Sequence, residues 1–178
     1  MIYDGKRFEK KIKMSNFEKV KEFNRAFGLD VPANVQKHLF IQDPKQVKLK
    51  LDLILEEVEE LKEALLKQDL VETVDALADI LYVVYGAGIS FGVDMDEAFS
   101  IVHLSNMSKL CKTVAEAEET VRWYRDEYDK GNTAYDSPIY RHDPATGYYI
   151  VLNESTGKIL KNIHYRPVDL YPLLNEQR

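Results

Sequence analysis

The chain has little that would place it in an oxidising compartment, in a membrane or on a nucleic acid. Its single cysteine, Cys111, cannot form an internal disulfide, so nothing favours an oxidising compartment. The longest apolar run, residues 80–93, suits a buried helix better than a membrane span. The formal net charge of −6 argues against nucleic acid as a partner, because a phosphate backbone needs a basic face. Residues 1–13 are charged and have no apolar signal core, so we expect a cytoplasmic protein.

Histidine-rich metal sites and thiol chemistry also lack support. The four histidines are scattered and show no ligand spacing. Cys111 has no evident histidine partner, so nothing favours a thiol nucleophile. A metal site in this chain would therefore be built from carboxylates. Ligand sets made only of oxygen select Mg²⁺ or Mn²⁺ over zinc.

Helix starts are clearly marked in the first 130 residues. Each start has Ser, Thr or Asp followed three residues later by Glu or Gln. These pairs are Ser15 and Glu18, Asp43 and Gln46, Asp69 and Glu72, Asp94 and Glu97, and Thr113 and Glu116. With glycines as stop signals at positions 28 and 131, they predict helices at about 15–27, 44–67, 70–90, 95–109 and 114–130.

The pattern changes after Gly131. The stretch "SPIYRHDPATGYYIVLNESTGKILKN" alternates β-prone runs with the turn clusters "DPATG" and "NESTG". Such alternation predicts a small hairpin or a three-stranded meander. We therefore expect an all-α fold with a small β appendage, in a single domain over 1–178. Its helical core would span about 15–130, with the appendage and tail at about 135–178.

The stretch "LILEEVEELKEAL" carries five glutamates, which a helical wheel divides into two sets. The apolar stripe of this helix is Leu51, Ile54, Val58, Leu61 and Leu65. Glu57 and Glu60 lie on one flank of the stripe, and Glu56 is next to Glu60 across a turn. Glu59 and Glu63 fall on the far flank, where solvent is expected. We therefore expect Glu57 and Glu60 to be directed towards a metal ion.

The next helix carries three acids on one face. Glu72, Asp75 and Asp79 cluster on the wheel, and the helix is otherwise apolar nearly all round, as a central buried helix would be. Glu72 is explained as the partner of its N-cap, and Asp75 by the helix dipole. Asp79 lies beyond the first turn and has no such explanation. Carboxylates stacked on one face repel each other unless a cation neutralises them.

The apolar character of this second helix also bears on assembly. A helix of this kind needs cover on every side, and the other helices of one chain scarcely provide it. We therefore expect a homodimer or a homotetramer.

Three motifs in order resemble those of the MazG-like nucleoside triphosphate pyrophosphohydrolases and of phosphoribosyl-ATP pyrophosphohydrolase, which shares their all-α fold. They are "EEVEELKEAL", "DLVETVDALADILYVVYG" and "FGVD". In that superfamily an E-E-x-x-E helix and an E-x-x-D helix together hold Mg²⁺. The resemblance assigns Glu57, Glu60 and Asp79 to the metal ion. It leaves Glu56 as the spare carboxylate that orients or deprotonates the attacking water.

One position departs from the family pattern. Three residues before Asp79 the family usually has glutamate, whereas this chain has Ala76. Either Asp75 supplies that ligand, or the acting pair is Glu72 and Asp75. We favour Asp75 with Asp79 as the ligands, and expect Glu72 to lie next to the ligands without contacting the metal ion.

The stretches "HLSNMSKL" and "TGKILKNIHYRPVDL" resemble a phage and bacterial subgroup of these enzymes. From that resemblance Lys109 would contact a phosphate and serve catalysis, and Asn106 would bind sugar or phosphate. The superfamily recognises the base with its early helix and loop, here around Phe23, Asn24 and His38. The segment 113–154 looks like an insertion whose role the family does not settle.

The implied reaction is Mg²⁺-dependent hydrolysis of a nucleoside triphosphate to the monophosphate and pyrophosphate, with a lean towards purine deoxynucleotides. Two alternatives remain at this stage. One is phosphoribosyl-ATP as the substrate of the same site, as in histidine synthesis. The other is a helical interaction module without catalysis, in which the acids are merely surface residues.

Overall fold

The computed structural model describes residues 14–175, so the charged N-terminal stretch lies outside the described residues. Over residues 14–175 the chain forms seven α-helices, a short 3₁₀ helix and a two-stranded antiparallel sheet. The helices are α1 Asn16–Ala26, α2 Leu39–Gln42, α3 Pro44–Lys67, α4 Leu70–Ser90, α5 Met95–Met107, α6 Val114–Asp129 and α7 Tyr171–Asn175; the strands are β1 Pro138–His142 and β2 Tyr149–Asn153. The expected all-α fold with a small β appendage is confirmed.

Side-chain caps determine where the five long helices begin. At each start the cap oxygen accepts a hydrogen bond from the backbone N–H three residues later. These bonds are Glu18 to Ser15 at 3.3 Å, Gln46 to Asp43 at 2.9 Å, Glu72 to Asp69 at 3.2 Å, Glu97 to Asp94 at 3.1 Å and Glu116 to Thr113 at 3.2 Å. The predicted helices are therefore confirmed to within two residues at each end. The sequence pattern missed α2 and α7, because four and five residues are too few to show a helical period.

The described residues divide into two compact units. Residues up to Ala98, together with those from Pro172 onward, form the first unit, and Phe99–Tyr171 form the second. The first unit contains α1 to α4 and α7, and the second contains α6 and the sheet. The single domain expected over 1–178, with its core at 15–130, stays a prediction.

In the first unit, α1 packs on the C-terminal half of α4. Phe17, Val20 and Ile89 form a buried apolar cluster there. The hydroxyl of Tyr85 donates a 2.7 Å hydrogen bond to Asp96, and the backbone N–H of Phe17 donates a 3.4 Å bond to the same carboxylate. One half-buried carboxylate thus ties together the start of α1, the end of α4 and the start of α5.

Helix α4 is far less buried within the chain than a central helix would be, as expected if one chain scarcely covers it. Its residues Val74, Leu77 and Leu81 are 59%, 47% and 57% exposed. Burial is confined to Ala76 and the last turn, 88–90. Within residues 14–175 α4 packs mainly against α3 and α1, which leaves much of its surface exposed.

Helix α3 meets α4 through a flank of the predicted apolar stripe. Leu51, Val58 and Leu65 of the stripe are all exposed. On the flank, Ala64 is buried and Glu57 is half-buried. Ile54 and Leu61 of the stripe are half-buried, like Glu57. Helix α3 thus buries part of the stripe together with the flank that carries Ala64 and Glu57.

The second unit is built around the hairpin of β1 and β2, which pair antiparallel with Ile139 opposite Leu152. Leu152 also pairs with Ile159 in an isolated bridge, and the sheet itself has two strands, as in the predicted hairpin. The buried cluster of this unit consists of Cys111, Ala117, Val121, Tyr124, Val151 and Leu160. Burial raises the pKa of the Cys111 thiol, which disfavours the reactive thiolate form.

Within residues 14–175 no single helix has the length and apolar composition needed to cross a membrane. Only α4 and α5 taken together meet those two criteria, and the pair is bent by 108°.

Candidate active site

A tight turn places the acidic parts of α3 and α4 side by side. Helix α3 ends at Lys67, Gln68 takes the left-handed conformation at φ 56°, and Asp69 caps α4. A connection this short makes the two helices antiparallel neighbours. Positions at similar distances from the turn therefore lie opposite each other, which brings 57–60 of α3 next to 75–79 of α4.

The electrostatics of Glu57 show which carboxylates this hairpin gathers. Burial is the largest cause that raises the pKa of Glu57 above its ordinary value. The charges that raise it further belong, in decreasing order, to Glu60, Asp79, Glu56 and Asp75. Four acids from two helices thus act on a fifth, which is half-buried. Such a concentration of negative charge on a protein surface favours binding of a cation.

The other two glutamates of the row face solvent, as the wheel predicts. Glu59 forms an ion pair with Lys62 at 2.7 Å, and Glu63 pairs with Lys67 at 3.1 Å. All four side chains are more than 60% exposed. Glu59 and Glu63 therefore belong to the solvated side of α3 and provide natural controls for the residues on the other flank.

The donor set fits a hard divalent cation in its chemistry, but the side chains form an open row. Among residues 14–175, no three His, Cys, Asp or Glu side chains converge closely enough to hold one metal ion as they stand. The carboxylates of Glu57, Glu60, Asp75 and Asp79 offer only oxygen ligands, which Mg²⁺ and Mn²⁺ prefer. Like charges in such a row repel each other, and a cation between them would offset that repulsion.

Ala76 stands where the family usually has glutamate, and its neighbours on α4 show which acids lie towards Glu57. Ala76 is buried, whereas Asp75 and Asp79 on either side of it are exposed. Asp75 and Asp79 both raise the pKa of Glu57, and Glu72 is not among the groups that do so. The structure thus brings Asp75 and Asp79 towards Glu57 and leaves Glu72 in the first turn of α4. Whether these groups ligate a metal ion stays a prediction.

Three aromatic side chains lie close together beside the face of α4 that carries Asp75 and Asp79. Phe23 of α1 contacts Tyr82 edge-on at 5.6 Å and stacks on Phe27 at 4.2 Å. Asn24 is buried next to Phe23 in sequence, whereas His38 is exposed and starts α2 without a side-chain cap. The structure therefore groups the early-helix candidates around Phe23, and shows no contact that links His38 to them.

Two further sequence candidates belong to the second unit. Lys109 donates a 2.7 Å hydrogen bond to the Asn106 side chain, so these two residues pair with each other. The serines of the same motif hold the tail of the chain: Ser105 donates to the Arg166 carbonyl at 2.9 Å, and Ser108 accepts from the Arg166 N–H at 3.0 Å. Sequence reasoning missed this anchor, although it had linked the motif and the tail to one subgroup.

A cavity of about 320 Å³ lies elsewhere in the first unit. Its lining residues include Phe17, Lys21, Arg25, Asn34 and Asp94. Lys21 is paired there with Glu18 at 2.7 Å. Glu57, Glu60, Asp75 and Asp79 are not among the residues that line this cavity.

Comparison with known proteins agrees with these observations. Residues 20–106, which run from α1 into α5 and contain the whole acidic row, match the family model described as phosphoribosyl-ATP pyrophosphohydrolase. An uncharacterized protein of Acanthamoeba polyphaga mimivirus is 29% identical, over 91% of this chain and 96% of that protein. The protein therefore carries, over residues 20–106, a segment that matches the phosphoribosyl-ATP pyrophosphohydrolase family, in the MazG-like superfamily, and this match supports hydrolysis of a nucleotide pyrophosphate bond as its type of activity.

Proposed function

We propose that the protein hydrolyses a nucleoside triphosphate to the monophosphate and pyrophosphate with the help of Mg²⁺ or Mn²⁺. The observation that carries this proposal is the set of four carboxylates acting on Glu57 across the α3–α4 hairpin. They lie within the segment that matches a pyrophosphohydrolase family. A substrate with several negative phosphates needs a cation to approach such a surface, so the two observations point to the same chemistry. The cytoplasmic location expected from the sequence belongs to this proposal.

In the proposed site Glu57, Glu60, Asp75 and Asp79 hold the cation, and Glu72 stays behind them. When bound, the ion neutralises phosphate charge and lowers the pKa of the attacking water. Glu56 then orients that water and accepts its proton, because it is the one remaining carboxylate that acts on Glu57. No covalent intermediate is required, since phosphoryl transfer depends mainly on positioning and electrostatics.

The contacts to the rest of the substrate are proposed from the sequence pattern. Lys109 would offset phosphate charge, and Asn106 would bind sugar or phosphate. Asn24 and His38 would recognise the base, with a lean towards purine deoxynucleotides. Exposed aromatic rings such as Phe23 suit this task, since a base can stack on them.

A second candidate substrate is phosphoribosyl-ATP, which the description of the matched family favours. It would use the same carboxylates, since its reaction also releases pyrophosphate. The remaining alternative is a helical interaction module without catalysis. In that case the half-buried Glu57 would stay surrounded by repelling acids with nothing to offset them.

The exposed apolar faces of α3 and α4 support the proposal of a homodimer or homotetramer. On α4 the residues Leu70, Val74, Leu77 and Leu81 repeat at alternating intervals of four and three. That spacing places them in one seam, as in helices that pack against a partner helix. A second copy carries the same seam and would cover it in a closed, symmetric way.

The decisive experiment incubates the purified protein and Mg²⁺ with each ribo- and deoxynucleoside triphosphate, and with phosphoribosyl-ATP. Chromatography identifies the products, and a coupled assay measures pyrophosphate release. We expect a monophosphate and pyrophosphate from at least one nucleoside triphosphate. A diphosphate and orthophosphate as the main products would contradict the proposed cleavage. Cleavage of phosphoribosyl-ATP alone would establish the second candidate, and no cleavage of any compound would favour the interaction module.

A further inference from the structure

Lys50 of α3 differs from its neighbours on the same helix. Three other lysines of α3 are well exposed and pair with an acid one turn away. These pairs are Lys48 with Asp52, Lys62 with Glu59 and Lys67 with Glu63. Lys50 is half-buried and has no ion pair among the described residues. Its loss of solvent lowers the pKa of its ammonium group.

Its position on the helix places Lys50 on the same face as the acidic row. Seven residues are two helical turns, so Lys50 and Glu57 point in the same direction about 10.5 Å apart along the axis. Glu57 lies near Asp79 of α4. The same antiparallel register continued by two turns brings Lys50 level with Gly86.

The space beside Gly86 is open. A Cβ atom built at Gly86 would have no heavy atom within 4 Å, apart from its own helix and chain neighbours. The α3–α4 hairpin thus carries carboxylates around Glu57. Two helical turns away it carries the ammonium group of Lys50, which lies level with the open space beside Gly86. Burying a lysine without a counter-ion costs free energy, which an anion supplied from outside would offset.

We propose that Lys50 binds a phosphate oxygen of the substrate, at the level of the α3–α4 hairpin two turns away from the acidic row. This inference rests on the proposed function, because it places the substrate along the face that holds the cation. A triphosphate carries more negative charge than one divalent cation neutralises. The flexible four-carbon stem of a lysine lets its ammonium follow such a group. Lys50 then binds the part of the phosphate chain that the cation does not hold.

The test compares Lys50→Met and Lys50→Gln with Lys48→Met, which removes an exposed and paired lysine from the same helix. Steady-state kinetics are measured on the best nucleoside triphosphate, and Tm is measured without nucleotide. For both Lys50 variants we expect KM to rise roughly tenfold or more with little change in kcat, because a charge-assisted contact is lost in ground and transition states alike. The Tm of Lys50→Met should be unchanged or higher, since an unpaired ammonium is removed from a half-buried place. Lys48→Met should leave KM unchanged, and Lys50→Arg should restore most of the affinity.

The outcomes separate the inference from the function it rests on. If the parent protein hydrolyses a triphosphate and neither Lys50 variant changes KM, the inference is wrong while the proposed function stands. If kcat falls and KM stays constant, Lys50 acts in some other way, and the inference is equally wrong. If the parent protein cleaves no triphosphate, the proposed function is wrong, and the inference about Lys50 is then wrong as well.

Discussion

Glu57 of α3 and Asp79 of α4 are 22 positions apart in the chain and lie within electrostatic reach of each other across the helical hairpin. Burial raises the pKa of Glu57 most, and the charges of Glu60 and Asp79 follow. The hairpin therefore holds like charges together at an energetic cost to the fold. Sites that bind a cation or a substrate often show such a cost.

Removing one charge from this group should abolish turnover. We expect Glu57→Gln, Glu60→Gln and Asp79→Asn each to lower kcat/KM at least about a hundredfold, because the amide keeps the shape but loses the charge that binds the cation. Glu59→Gln and Glu63→Gln serve as controls and should keep nearly full activity. If Glu59→Gln were as damaging as Glu57→Gln, the site would have to lie on the other flank of α3.

The apo protein should respond to pH through Glu57. The folded state raises the pKa of Glu57, so it binds that proton more tightly than the unfolded chain does. The stability that this proton confers is fully present below the ordinary value of 4.5 and is lost as the pH rises through the raised value. At neutral pH, apo Glu57→Gln should therefore be as stable as the parent protein or more stable, with the difference vanishing in acid. Unfolding followed by circular dichroism from pH 4 to pH 8 measures this, and a lower Tm for Glu57→Gln at neutral pH would contradict it.

Divalent cations should stabilise the folded protein. Because binding to the folded state alone raises stability with ligand concentration, millimolar Mg²⁺ or Mn²⁺ should raise Tm by several degrees. The increase should shrink in Glu57→Gln and Asp79→Asn, and persist in Glu63→Gln. Differential scanning fluorimetry with and without chelator provides the measurement. An equal increase in all variants would show that the ion binds elsewhere.

A charge in the exposed seam of α4 should disrupt assembly. Val74→Asp places a carboxylate where we propose that a second copy packs, so the variant should elute as a monomer where the parent is a dimer or tetramer. Val114→Asp, at an exposed valine of α6, serves as the control. Light scattering coupled to size exclusion measures the mass. A monomeric parent protein at micromolar concentration would refute the proposed assembly.

The bond from Tyr85 to Asp96 should contribute to stability in a pH-dependent way. Burial opposes the charged form of Asp96, but hydrogen bonds from Ser15, Tyr85 and the Phe17 N–H outweigh it and lower its pKa. Tyr85→Phe should therefore cost about 1–2 kcal/mol at neutral pH. The cost should diminish as the pH falls through the lowered pKa of Asp96, because its stabilising charge is then lost. Urea unfolding at several pH values measures this, and Tyr171→Phe, at an exposed tyrosine, should cost nothing at any pH.

The ends of the long helices could be predicted from the sequence because capping is local. Asp43 and Asp69 accept hydrogen bonds from residues only two or three positions away, so the pattern of residue types is sufficient evidence. The solvent-facing place of Glu59 and Glu63 was predictable for the same reason, since a lysine three or four residues on pairs with each. The grouping of Glu57 with Asp79 also followed from two helical wheels and a short connection.

Only the tertiary structure decided how α3 and α4 meet. A helical wheel gives directions around one axis but no angle between two helices, so it could not show that Val58 is exposed while Glu57 is half-buried. The exposure of Val74 and the bond from Ser105 to the tail depend on residues that are distant in the chain. The same holds for Lys50, which has no ion pair within residues 14–175. Packing of that kind depends on the shapes of whole surfaces, and those exist only once the chain has folded.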